Sequence, residues 1–149
     1  MAKKRVVNSK NAKGRGDYAD IIQQISEEGK CPFCQDNFKY HRKPILKKRK
    51  GWFITEASWP YKDTKHHFIV LGEKHKEEIT EVKNSDWEAI NFLLKWISKE
   101  FKIKGGGFLM RFGDTHYTGA SVCHLHAHII VPEIDKKTKE AKVVYFPIG

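Results

Sequence analysis

Ser121-Val-Cys-His-Leu-His-Ala-His-Ile-Ile-Val-Pro132 carries histidines at three alternate positions, His124, His126 and His128. Side chains two apart in a β-strand share a face, so the segment read as a strand lines up three imidazoles and sends Leu125, Ala127 and Ile129 the other way. Its β-branched and aliphatic content, stopped by Pro132, favours a strand, whereas a helix scatters the rings around its axis. Imidazoles are costly to bury without partners, and near neutral pH they serve as nucleophile, acid, base or metal ligand. The row is therefore read as catalytic or ligating.

Working outward, the triad is preceded by Gly119-Ala-Ser-Val122 and, further upstream, by His67-Phe-Ile-Val-Leu-Gly-Glu-Lys-His75. In this order, from about Cys31 to Pro132, these motifs resemble the histidine triad (HIT) nucleotide hydrolases and transferases, whose signature is His-x-His-x-His followed by two apolar residues. The resemblance implies an α+β, HIT-like fold: an antiparallel sheet of about five strands with a long helix packed on it, two such subunits forming a homodimer. It also implies roles. His126 attacks the α-phosphorus of a nucleotide conjugate and forms a nucleotidyl-imidazole; His128 binds a phosphate oxygen; Ser121 donates to the leaving group; His67 stands beside the phosphate. An acidic residue at the end of the second strand holds the ribose in this family, and Glu56 is the nearest match. Where the family has Asn-x-Gly, this chain has Arg111-Phe-Gly113, replacing an amide with a cation that can fork onto a phosphate. No metal is expected at the phosphorus.

Cys31-Pro-Phe-Cys34 is either a redox pair or half of a metal knuckle. The chain has 3 cysteines and 8 histidines, so a zinc site needs histidines. HIT proteins with the same Cys-Pro-Phe-Cys hold structural zinc, and the resemblance gives His75 and His124 as the remaining ligands. Cys123 falls on the opposite side of a strand from His124 and is read as a small buried hydrophobe.

The 149 residues are 40% hydrophobic, which suits about one domain with its own core. No apolar run approaches membrane-spanning length and no leader pattern is present, so the expectation is a soluble, cytoplasmic protein without membrane association. A net charge of +10 points to an anionic partner. Much of it lies in residues 1–16, with Lys3, Lys4, Arg5, Lys10, Lys13 and Arg15, and in Lys47 to Lys50. Few large apolar residues and two glycines mark 1–16 as a disordered basic tail, solubilising or docking on nucleic acid, ahead of a domain over 17–149.

Within that domain Tyr18, Ile21, Ile22 and Ile25 space a helix over Asp17 to Glu28, capped by Asp17 and ended by Gly29. Pro44 to Leu46 and Trp52 to Thr55 form a hairpin around Arg49-Lys50-Gly51, and Lys65 to Leu71 the next strand. Ser85-Asp-Trp-Glu88 reads as a capping box opening a helix to Phe101. Gly105-Gly-Gly107 lacks the rest of a P-loop and precedes a strand over Phe108 to Phe112; Lys142 to Pro147 reads as a last strand. Two other classes stay open: a zinc hydrolase with the triad on a catalytic ion, and a non-catalytic nucleotide- or RNA-binding module.

Overall fold

A computed structural model describes residues 5–149. Five strands, β1 (Ile45–Arg49), β2 (Trp52–Glu56), β3 (Thr64–Gly72), β4 (Gly107–Met110) and β5 (His126–Pro132), form one antiparallel sheet in the order β1-β2-β3-β5-β4. The helices are α1 (Tyr18–Glu28), α2 (Asn84–Glu100) and the single turn α3 (Thr115–Thr118). The fold is α+β, as expected.

Period-two alternation divides the sheet into two unlike faces. Trp52, Ile54, Phe68, Val70, Ala127 and Ile129 point one way and bury against Ala89, Ile90, Leu93 and Ile97 of α2. Side chains as completely enclosed as Phe68 and Leu93 contribute about 1.5–3 kcal/mol each by leaving water. Residues one position along, including His67, Ile69, His126 and His128, face the other side, where no long helix lies. That side is covered by α1, by the Cys31–Tyr40 segment and by both ends of the chain.

Three local devices fix this frame. The β1–β2 turn has Lys50 and Gly51 both at positive φ, 42° and 77°, a pairing whose twist matches an antiparallel hairpin. At Gly106 any Cβ would sit 2.4 Å from the Ile130 carbonyl oxygen, so only glycine lets the chain step onto β5. At the start of α2 the Asp86 carboxylate accepts from the Lys83 N–H (2.7 Å), Lys76 Nζ (2.7 Å) and Trp52 Nε1 (2.9 Å), tying the helix end to β2. The helix therefore begins at Asn84 with Lys83 as its N-cap, not at Ser85.

Other expectations are corrected. Residues 5–16 are packed, not disordered; Met1 to Lys4 of the expected tail lie outside the described residues. Val7 bridges to Val122, Asn8 N–H donates to the Ser121 carbonyl (2.7 Å) and Cys123 N–H to the Val6 carbonyl (2.9 Å). Val7, Asn8 and Ala12 are buried, and the Asn11 amide donates to the Ala120 carbonyl at 2.7 Å. Low apolar content misled because the segment is held by backbone and amide hydrogen bonds with only two small apolar anchors. Asp17 precedes α1, but its carboxylate goes to Arg42 (2.5 Å) and Trp59 Nε1 (2.7 Å) instead of capping; Gly29 ends the helix at φ 70° as expected. Strand β4 stops at Met110, and Val143 to Pro147 form no strand: after an isolated Ile134–Ala141 bridge the chain runs extended over the histidine face. No helix of the described residues is long and apolar enough to cross a membrane.

Candidate functional site

Strand β5 starts at His126, not at Ser121, so the three histidines do not form one row. His124 lies in the preceding loop and turns toward the cysteines; His126 and His128 remain on the strand. Two centres result.

The first gathers Cys31, Cys34, His75 and His124, whose ligand atoms all lie within 4.8 Å of one another. His124 Nδ1 is 3.4 Å from Cys31 Sγ and 3.8 Å from Cys34 Sγ, and His75 Nδ1 is 3.4 Å from Cys34 Sγ. Tetrahedral zinc, with Zn–S about 2.3 Å and Zn–N about 2.0–2.1 Å, needs donors about 3.4–3.8 Å apart, so the residues fit the ion. The outer nitrogens agree: His124 Nε2 lies 2.8 Å from the Gly72 carbonyl and His75 Nε2 3.0 Å from a Glu77 carboxylate oxygen, which turns both Nδ1 lone pairs inward. Burial pushes the bare Cys31 thiol up to about 12, opposite to the activated thiol of a redox pair. Cys123 stands apart, half-buried, with its Sγ 3.9 Å from the Thr115 hydroxyl.

The second centre is a cleft of about 540 Å³ on the histidine face, lined by His126, His128, His67, Arg111 and Ser121 among others. His126 Nδ1 lies 2.7 Å from the His124 carbonyl oxygen and must donate to it, leaving the Nε2 lone pair free toward the cleft. Burial lowers its pKa to about 4, so the ring is neutral at pH 7. A second chain of bonds fixes His128. The Tyr61 backbone N–H donates to His67 Nδ1 (3.1 Å), so the proton of His67 sits on Nε2 and points at His128 Nδ1, 2.8 Å away. The proton of His128 is thereby forced onto its own Nε2. Arg111 Nη1 lies 3.4 Å from that same nitrogen. Two donors thus face each other with no acceptor between them among the described residues, an arrangement that an anion completes. Burial holds His67 down to about 3 and His128 well below its ordinary value, consistent with neutral rings.

Arg111 is aimed by its other donors: Nε and Nη2 reach the Pro147 carbonyl (2.8 and 2.6 Å), and Nη2 the Tyr61 hydroxyl (3.0 Å). The Ser121 hydroxyl is bonded to the Tyr18 phenol, whose buried position raises its pKa.

Glu56 is not brought in. It pairs with Phe68, whose side chain faces α2, and Glu56 shares that face, while Thr55 and Ala57 take the histidine side. One register step separates the resemblance's nearest acid from the site. His66 also points away, stacking on Phe68.

Several cleft residues lay beyond the sequence reading. His41 lines the cleft, with its ring nitrogens 2.7 Å from the Thr55 hydroxyl and 3.0 Å from the Ser58 hydroxyl, and burial lowers its pKa to about 4. Arg15 and Tyr18 arrive from the N-terminal segment and α1. Phe33, inside the Cys-Pro-Phe-Cys motif, meets the His126 ring edge-on at 5.0 Å between centroids. Of these only Phe33 had a local signal.

No family model matches this chain, and no curated protein matches it in sequence. Solved structures do match in fold. A histidine triad nucleotide-binding protein from Candida albicans superposes with a TM-score of 0.60 at 17% identity, over 80% of this chain and 85% of that one. A HIT family member from Bacillus subtilis gives 0.53 at 22%, over 78% and 82%. A zinc-bound histidine triad protein from Mycobacterium smegmatis gives 0.54 at 16%, over 74% and 79%. The fold is HIT-like, and its structural neighbours are histidine triad proteins.

Proposed function

We propose that this protein is a histidine triad nucleotide hydrolase or nucleotidyl transferase, acting at the α-phosphate of a nucleotide conjugate such as a dinucleoside polyphosphate or a nucleoside phosphoramidate. The observation that carries the reading is the proton arrangement in the cleft. It leaves His126 Nε2 as a bare lone pair and His128 Nε2 as an N–H donor beside Arg111, with each tautomer set by a backbone group.

In the first step His126 Nε2 attacks the α-phosphorus, an N–P bond forms and the bond from phosphorus to the leaving group breaks. The positive charge on His126 is stabilised by its Nδ1–H bond to the His124 carbonyl. His128 Nε2–H and Arg111 Nη1 hold the phosphoryl oxygens, and His67 acts one step back by fixing the proton on His128. Ser121, positioned by Tyr18, donates to the leaving group. In the second step water, or an acceptor hydroxyl or phosphate, attacks phosphorus, the P–N bond breaks, and the proton released from the attacking group leaves to solvent. Glu56 has no part in this scheme.

Cys31, Cys34, His75 and His124 are the residues that would hold zinc. A bound ion would supply no chemistry at phosphorus; through these residues it would link the Cys31–Cys34 turn, the loop after β3 and the loop into β5. Thiol ligands that must stay reduced suit a cytoplasmic protein. Two copies are proposed to pair as a homodimer, which the edge position of β4 and the exposure of Phe108 on it support.

The test is intact-mass analysis after quenching with adenosine and guanosine phosphoramidates and dinucleoside polyphosphates. A nucleotidyl adduct with wild type, absent in His126→Ala, establishes the covalent route. Substrate binding without adduct or product replaces it with the non-catalytic nucleotide- or RNA-binding reading.

A further inference from the structure

Arg15 lies ahead of α1, in a segment that the triad motifs do not reach. Its guanidinium carbon stands 4.3 Å above the Tyr18 ring and 5.1 Å from the Tyr61 ring. Arg111 approaches Tyr61 from another direction, donating to its hydroxyl at 3.0 Å, with its guanidinium carbon 3.9 Å from the Phe146 ring. Tyr61 is thus shared by two guanidinium groups, one from the segment ahead of α1 and one from just after β4.

Aromatic faces attract guanidinium groups by about 0.5–2 kcal/mol without neutralising them. Neither arginine meets a carboxylate among the described residues, and no acidic side chain lines the cleft. Arg15's polar contact is a 3.5 Å approach to the Asn11 carbonyl. Two cations held together in a cleft without counter-charge repel each other, and an anion between them removes that cost. Their joint field also disfavours protonation of His67 and His128.

Arg15 also has a defined place in the reaction. It stacks on Tyr18, whose hydroxyl is bonded to Ser121, the residue assigned to the leaving group. Arg111 Nη1 lies 3.4 Å from His128 Nε2, the nitrogen assigned to the reacting phosphate. With Ser121 and His128 in the roles proposed above, Arg15 belongs to the leaving-group side and Arg111 to the side of the phosphorus under attack.

We propose that Arg15 and Arg111 form a two-arginine anion subsite that holds the phosphate chain of the substrate, so that the preferred leaving group is a phosphate or polyphosphate and not an amine. The inference rests on the catalytic reading above and adds its leaving-group class. When His126 Nε2 bonds to the α-phosphorus and the P–O bridge breaks, both electrons go to the departing oxygen. A phosphate leaves as the anion, and the arginines meet its charge. An amine leaving group must instead be protonated, and cations beside it oppose that protonation.

The experiment compares kcat/KM for diadenosine triphosphate and for adenosine 5′-phosphoramidate in wild type, Arg15→Gln and Arg15→Lys. A charge-assisted contact predicts that the polyphosphate-to-amine ratio falls about 10- to 100-fold in Arg15→Gln and recovers in part in Arg15→Lys. A ratio unchanged in Arg15→Gln overturns the subsite while leaving the catalytic reading intact. In parallel, equilibrium binding of inorganic tripolyphosphate is measured in the His126→Ala background. A tenfold or greater weakening on adding Arg15→Gln supports the subsite even if neither substrate is turned over, in which case only the catalytic reading falls. Tripolyphosphate affinity indifferent to Arg15 overturns it.

Discussion

His124 and His126 are separated by one leucine and present opposite nitrogens to their partners. His124 turns Nδ1 to the thiols and Nε2 to the Gly72 carbonyl; His126 gives Nδ1 to the His124 carbonyl and keeps Nε2 for the cleft. The backbone carbonyl that each ring meets selects the nitrogen left over, and that nitrogen selects the role. A similar division separates the faces of the sheet: the α2 side is closed by apolar packing, and the histidine side is assembled from chain ends and loops around polar groups.

The largest break in this comparison is expected from His126→Ala. Turnover falls about 10⁴-fold or more, the scale of losing a covalent nucleophile, while the melting temperature measured by calorimetry changes little. Cys31→Ser, or chelation of the holoprotein, does the reverse in order of events. Metal content by mass spectrometry and the melting temperature drop first, and activity is lost because the loop carrying Ser121 to Leu125 loosens. Retained thermal stability without metal would remove the structural role from the Cys/His centre.

Leu93→Ala on the α2 side is expected to cost about 2–5 kcal/mol in denaturant unfolding, with kcat per folded molecule preserved. The polar side has its own signature in acid. His67 is held near 3 against an ordinary 6.5, chiefly by burial, so between those values the unfolded chain binds a proton that the folded one refuses. Stability from this group is full above about pH 6.5 and falls as the pH drops toward 3, by about 1.4 kcal/mol per unit, on the order of 5 kcal/mol in total and about 3 kcal/mol of it by pH 4. Urea midpoints from pH 7 to 4 measure it, and His67→Asn flattens the slope. Smallest of all, Glu56→Gln is expected to change kcat/KM by less than about threefold, because its side chain lies on the α2 face. A larger loss would show that the chain end of β2 reaches the substrate after all.

Much of the architecture was legible because the α2 core, the hairpin and β3 are local patterns: helical or alternate spacing of apolar residues, a Lys-Gly turn, a glycine stop. What failed did so for identifiable reasons. Residues 5–16 looked too polar to order, yet their stability comes from a β-bridge to Val122 and amides clasping Thr115 and Ala120, partners more than 100 residues away. Val143 to Phe146 has strand composition but pairs with no strand; its end is held by Arg111 donating to the Pro147 carbonyl and by Phe146 against His128.

The sequence by itself determined that His126 and His128 share a face, since residues two apart in a strand have no alternative, and that Cys31 and Cys34 sit within reach of one centre. Tertiary structure decided everything that depends on distant partners. It started β5 only at His126 so that His124 could leave the row, placed Glu56 on the far side by register, and set two tautomers through the carbonyl of His124 and the N–H of Tyr61. It also brought Arg15 and Arg111, 96 positions apart in the sequence, to one tyrosine. Such encounters leave no periodic trace in the sequence, because they depend on where the chain returns and not on how it repeats.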